Sequence, residues 1–220
     1  MNHLRLQVLD PTTCERLLER LSKEAEWQDG SLTAGTHAKG GKRNSQLNYD
    51  SPLRKEIHEL VERAMWNHPA VKGFCLPRKL HRCLITKTEK DGGYDTHVDN
   101  AYMSSGRSDL SFTLSLTDDM MYEGGELEID SISESFPIKL KQGEIVIYPS
   151  TSLHRVCPVT IGVRTVCVGW IESYVKSESD RICLFQLESG ARAILAKNGR
   201  SDELDLIFLA YTNMLRRLGS

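Results

Sequence analysis

Apolar residues recur at helical spacing near both ends of the chain and at strand spacing between them. Leu17, Leu18, Leu21 and Ala25 share one helical face behind Asp10-Pro11, an N-cap followed by a first-turn proline. Thr12 with Glu15 offers a capping box one step further on. Leu53, Ile57, Leu60, Val61, Ala64 and Met65 repeat with a 3.6-residue period from Ser51-Pro52, and His68-Pro69 is expected to end that second helix. Residues 28–48, rich in Gly, Ser, Thr, Lys and Asn, read as a loop or weak strand crossing the surface.

The middle of the chain changes character. Short β-like runs at 82–88, 110–117, 126–130, 136–140, 144–148 and 163–171 are separated by Gly, Asp, Ser and Pro. This spacing predicts a sandwich or jelly roll. Ser111 to Leu116 alternates strictly, which predicts one face packed inward and one polar face. Glu144 to Pro149 is nearly all apolar and suits a central strand that stops at the proline. Helix returns in a short segment at 180–187. A longer one follows, capped by Ser201 or Asp202, with Leu204, Ile207, Phe208, Tyr211, Leu215 and Leu218 on one stripe.

The fold class that follows is mainly β with flanking helices. An N-terminal helical support (1–75), a β core (76–178) and a C-terminal helical region (179–220) are read as one structural unit. The chain has 220 residues, 40% apolar and 26% charged, which is ordinary for a globular domain. A formal net charge of −2 gives no general attraction to nucleic acid or anionic membrane. The N-terminal apolar stretch is too short and interrupted for a secretory signal, and no run approaches a membrane span. A cytoplasmic protein is expected, and a homo-oligomer is compatible with the chain. Six scattered cysteines form no CxxC pair, so they read as buried free thiols rather than a zinc or dithiol site.

The chemistry concentrates in Thr96-His97-Val98-Asp99-Asn100, His154 and Arg164. On an extended segment His97 and Asp99 point to the same face, about 6–7 Å apart at the backbone. Val98 then points into the packing. A lone His-x-Asp is weak, since such a pair often only satisfies itself at the surface. His154, just after the apolar strand, offers a third ligand. A two-histidine, one-carboxylate face suits Fe(II) and leaves positions open for a chelating acid and O2. Arg164 lies inside a hydrophobic strand. Such an arginine needs an anion, either an internal carboxylate or a ligand that its guanidinium fork fits.

These residues resemble the iron(II)- and 2-oxoglutarate-dependent dioxygenases, and more closely the bacterial PKHD-type hydroxylases related to prolyl 4-hydroxylase. The resemblance is carried by HVDNAY (97–102), DLSFTLSL (109–116), YEGGELEI (122–129), IVIYPSTSLHRVCPVT (145–160), GVRTVCVGWIESYV (162–175) and RICLFQL (181–187). It implies a double-stranded β-helix. It also implies Fe(2+) on His97, Asp99 and His154, and the distal carboxylate of 2-oxoglutarate on Arg164. Tyr94 falls where relatives contact the cosubstrate, and L-ascorbate is the implied reductant. The implied reaction uses O2, converts 2-oxoglutarate to succinate and CO2, and hydroxylates a C–H bond. The chain departs from the family before the site, where His81-Arg82-Cys83-Leu84-Ile85-Thr86 replaces an Asn-Arg-Tyr-like run. That strand lines the pocket, so the departure bears on the prime substrate.

A peptidyl, prolyl-like substrate is the leading expectation, with a small-molecule substrate as the alternative. A nucleic-acid repair dioxygenase ranks last, because no second arginine follows Arg164 before Arg181. A cupin-like metal-binding protein is the non-enzymatic alternative.

Overall fold

The computed structural model describes residues 3–33, 39–130 and 135–220. The chain opens with β1 (Leu4–Gln7) and α1 (Pro11–Glu24). Next come β2 (Trp27–Asp29), β3 (Lys42–Arg43) and β4 (Ser45–Leu47), then α2 (Pro52–Asn67) and α3 (Pro69–Cys75). The β region continues with β5 (Pro77–Leu80), β6 (Leu84–Thr88), β7 (Gly93–His97), β8 (Tyr102–Met103), β9 (Gly106–Arg107) and β10 (Leu110–Ser115). It is completed by β11 (Tyr122–Gly124), β12 (Leu127–Asp130), β13 (Ser135–Ile138), β14 (Glu144–Pro149), β15 (His154–Val156), β16 (Val159–Gly162) and β17 (Arg164–Ser173). The helices α4 (Glu178–Asn198) and α5 (Asp202–Leu218) close the fold.

Two sheets carry the architecture. The major, eight-stranded sheet runs β1-β14-β10-β17-β6-β4-β2, with β5 also paired to β17. The minor sheet runs β13-β12-β15-β7-β3. All strand pairs in both are antiparallel, and together they make the jelly roll. The main core lies between the major sheet and the helices: Leu17, Leu21, Ile57, Val61 and Met65 meet Ile85, Phe112, Leu114, Ile145 and Ile147.

Several expectations are corrected. Asp10 caps α1 as expected, its carboxylate accepting from the Thr13 amide at 2.8 Å, and the further Thr12–Glu15 box is not the cap. Asp10 is already extended, and Pro11 occupies the first turn, so the helix starts one step earlier. His68 ends α2 but also starts α3, because its extended backbone (φ −84°, ψ 118°) is what a following proline requires. The segment expected at 180–187 is a helix from Glu178 to Asn198. Beyond Leu187 only Ala191 is buried, so no apolar stripe announces the extra turns. Good helix formers, a Ser177 cap and Gly199, whose positive φ of 78° ends the helix, carry them. The sequence reading did not single out β1, and residues 28–48 contribute β2 and β4 to the major sheet.

The alternating strand β10 is buried on both faces. Its polar set is not solvated: Ser111 and Thr113 face the recess described below, and the Ser115 hydroxyl donates to the Thr117 carbonyl at 2.7 Å. Of the cysteines, all free, Cys14, Cys75, Cys83 and Cys167 are buried, Cys157 is half-buried and Cys183 is exposed.

Candidate metal centre and cosubstrate pocket

His97 ends β7 and His154 begins β15, and the two residues are direct cross-strand partners. Antiparallel pairing therefore sets their rings side by side, with centroids 4.2 Å apart. Asp99 lies in the loop just past β7, and its Oδ2 is 3.7 Å from His154 Nε2. One donor atom from each of His97, Asp99 and His154 lies within 4.8 Å of the others, which fits a single ion. The expected extended register thus ends at His97. Val98 is 52% exposed at the rim rather than packed inside.

The donors are oriented. His97 Nδ1 donates to the Asp95 carbonyl at 2.8 Å, and His154 Nδ1 donates to the Ser152 carbonyl at 3.0 Å. Both bonds place the proton on Nδ1 and leave the Nε2 lone pair for a metal. Burial, with His154 alongside, pushes the His97 pKa down to about 4, so its ring is neutral at neutral pH. The Ser111 hydroxyl donates to Asp99 Oδ2 at 2.6 Å and is 2.8 Å from the Ser150 hydroxyl. The strand alternation around Ser111 was visible in the sequence, but its role as a support for Asp99 was not.

Arg164 begins β17 on the other sheet, opposite Thr88 of β6, and is 5% exposed. It opens onto the same recess between the two sheets as His97, Asp99 and His154. No carboxylate among the described residues forms an ion pair with it; the Tyr122 hydroxyl is its near neighbour. Burial lowers its pKa, yet a guanidinium stays charged, so the recess holds a buried cation that suits an anionic ligand. Gly125 makes the seat. Its φ is +69°, and a Cβ there would lie 2.9 Å from Arg164 Cδ. The glycine pair stands in YEGGELEI, but nothing local in the sequence ties it to Arg164.

Tyr94 stacks on His97, with centroids 3.6 Å apart, and lines the recess. Burial raises its hydroxyl pKa to about 12. Lys42, which the sequence reading missed, lies 5.1 Å over the Tyr94 ring from the neighbouring strand. Trp170 was also missed; its indole Nε1 is buried at the recess with no hydrogen-bond partner among the described residues.

Residues 81–172 match the 2OG-Fe(II) oxygenase superfamily. A PKHD-type hydroxylase of Synechococcus sp. (strain CC9311) is 88% identical over 100% of both chains.

The chain belongs to the PKHD-type hydroxylases.

As a member of that family it is an oxidoreductase, a dioxygenase whose family uses Fe(2+), 2-oxoglutarate and O2. Solved structures share the fold. A Pseudomonas putida prolyl-4-hydroxylase matches at a TM-score of 0.55 and 14% identity, covering 78% of this chain and 92% of that one. A Trichoplax adhaerens prolyl hydroxylase, in complex with a hypoxia inducible factor peptide fragment, matches at 0.58 and 13%, covering 77% and 83%. Among the described residues, no helix is long and apolar enough to cross a membrane.

Proposed function

We propose that this hydroxylase oxidises a C–H bond of a peptidyl, prolyl-like substrate, coupled to decarboxylation of 2-oxoglutarate to succinate and CO2. The carrying observation is convergence. Two donors from one sheet, a third from the loop that follows its strand, and a buried arginine from the other sheet, without an ion pair among the described residues, open onto one recess. In this reading His97, Asp99 and His154 hold Fe(2+). The bound ion supplies O2 activation coupled to cosubstrate decarboxylation.

The chain's own residues do the rest. The Asp95 and Ser152 carbonyls fix which ring nitrogens face the metal, and Ser111 holds the Asp99 carboxylate in place. Arg164 pairs with the distal carboxylate of 2-oxoglutarate through its guanidinium fork, where burial strengthens the attraction. Tyr94 covers one face of His97 and walls the cosubstrate pocket. Phe112, Leu127 and Val156 exclude water from the recess. Ascorbate is the proposed reductant that keeps the metal ferrous. A prolyl hydroxylase of like fold is seen with a peptide, and this supports the peptidyl substrate.

Succinate formation with Fe(II), 2-oxoglutarate and peptide, together with a +16 product by mass spectrometry, tests this reading. His97→Ala, Asp99→Ala and His154→Ala are each expected to abolish succinate formation while circular dichroism shows an intact fold. Substantial turnover in the His154 variant would sink the ligand assignment.

A further inference from the structure

Outside the recess the cleft widens into a groove with a marked charge imbalance. Lys42, Arg54, Lys79 and Arg82 line it, whereas Asp99, itself a candidate ligand, is its only acidic residue among those described. Elsewhere several cations meet a carboxylate, among them Arg5, Arg20, Arg155, Arg192 and Arg200. In the groove none does, among the described residues. Lys79 Nζ donates to the Ser105 carbonyl and Lys42 Nζ to the Thr33 hydroxyl, both uncharged partners.

The imbalance is sharpest at Tyr49. The Arg54 guanidinium lies 4.2 Å from the Tyr49 ring centroid and that of Arg82 4.6 Å. Arg54 is 3% exposed. It donates to the Cys83 and Tyr49 carbonyls, and its Nη2 is buried without a partner. The ring attracts each guanidinium, but the two charges repel one another with no carboxylate among the described residues to offset them. Arg82 is exposed and can meet a ligand directly.

We infer that the prime substrate is an acidic peptide, with an Asp or Glu side chain seated on Arg82 beside Tyr49 and Arg54, and the target residue reaching past Trp170 to the metal centre. A carboxylate there removes the repulsion between the two arginines and gains a charge-assisted bidentate contact. The inference rests on the peptidyl reading above and names its substrate class. It also places Arg82 in the segment that departs from the family pattern.

The test uses three pools of short proline-containing peptides, identical except for Asp/Glu, Asn/Gln or Lys/Arg beside the proline. Binding to the full chain is read by fluorescence anisotropy under anaerobic Fe(II) and 2-oxoglutarate. The acidic pool is expected to bind at least about tenfold more tightly than the neutral pool, with the basic pool weakest. Arg82→Glu is expected to abolish that preference, and Arg200→Glu, the same charge change at a remote surface site, is expected to keep it. Equal or tighter binding of the neutral or basic pool, no binding of any pool, or an unchanged preference in Arg82→Glu would each overturn the inference. The visible charge-transfer band of the Fe(II)–2-oxoglutarate chelate, read in the same samples, separates the two ideas. No band counts against the oxygenase reading, a band with no binding of any pool counts against the peptidyl reading, and a band with binding but no acidic preference counts against this inference alone.

Discussion

The Ser111 hydroxyl, on an interior strand of the major sheet, donates to Asp99 Oδ2, in the loop that leaves the minor sheet. This bond ties the two sheets together at the candidate metal centre. It uses one lone pair of the carboxylate and aims the rest. Ser111→Ala is therefore expected to weaken metal affinity by about 10–100-fold with little change in fold, the usual effect of removing a ligand's support. Titration with Mn(II) or Co(II) checks it; unchanged affinity would show that Asp99 is held by other contacts.

Gly125 and Arg164 are coupled by space. An added Cβ at Gly125 would meet Arg164 Cδ at 2.9 Å, in a backbone conformation that side chains rarely adopt. Gly125→Ala should displace the guanidinium and raise the 2-oxoglutarate concentration for half-saturation by about tenfold, as should Arg164→Lys, which lacks the planar fork. Cosubstrate titrations at fixed Fe(II) measure both. An unchanged requirement in Arg164→Ala would refute the clamp.

Metal binding should appear in thermal stability without any turnover. A ligand that binds only the folded state adds about 2.7 kcal/mol at one hundred times its Kd. For a chain of this size that corresponds to a rise in Tm of roughly 5–10 °C. Mn(II) is expected to produce the shift, a chelator to reverse it, and Asp99→Ala to lose it. A shift that survives in Asp99→Ala would place the ion elsewhere.

Phe112 and Gly169 are cross-strand partners in the major sheet, and the ring covers the glycine. A Cβ at Gly169 would lie 2.7 Å from Phe112 Cε1. Gly169→Ala should destabilise by about 1–3 kcal/mol through overpacking, and Phe112→Ala by about 3–5 kcal/mol through the cavity it leaves. Because the two share one space, adding Phe112→Leu to Gly169→Ala should cost less than the sum of the single changes. Urea unfolding of the four proteins decides it; strict additivity would show that the contact carries no strain.

Local and periodic features of the chain were legible in order along it. The stripe through Leu53, Ile57, Val61 and Met65, the proline after Asp10 and the short alternating runs are set by bonds and contacts within a few residues. His97, Asp99, His154 and Arg164 stood out in the sequence because ligand chemistry restricts residue type, and the structure brings the four to one recess. The second half of α4 was not legible, since its outer turns bury little and show no stripe.

What remained needed the tertiary structure, because it depends on which strands lie opposite one another. Strand alternation told that Ser111 and Thr113 share a face, but only the second sheet made that face a lined recess instead of a wetted surface. Sequence spacing could not show that Gly125 seats Arg164, or that Arg54 and Arg82, from a helix and a strand's approach, flank Tyr49 with no carboxylate among the described residues between them. These are contacts across long stretches of chain. Sheet register and packing decide them, and no local pattern records them.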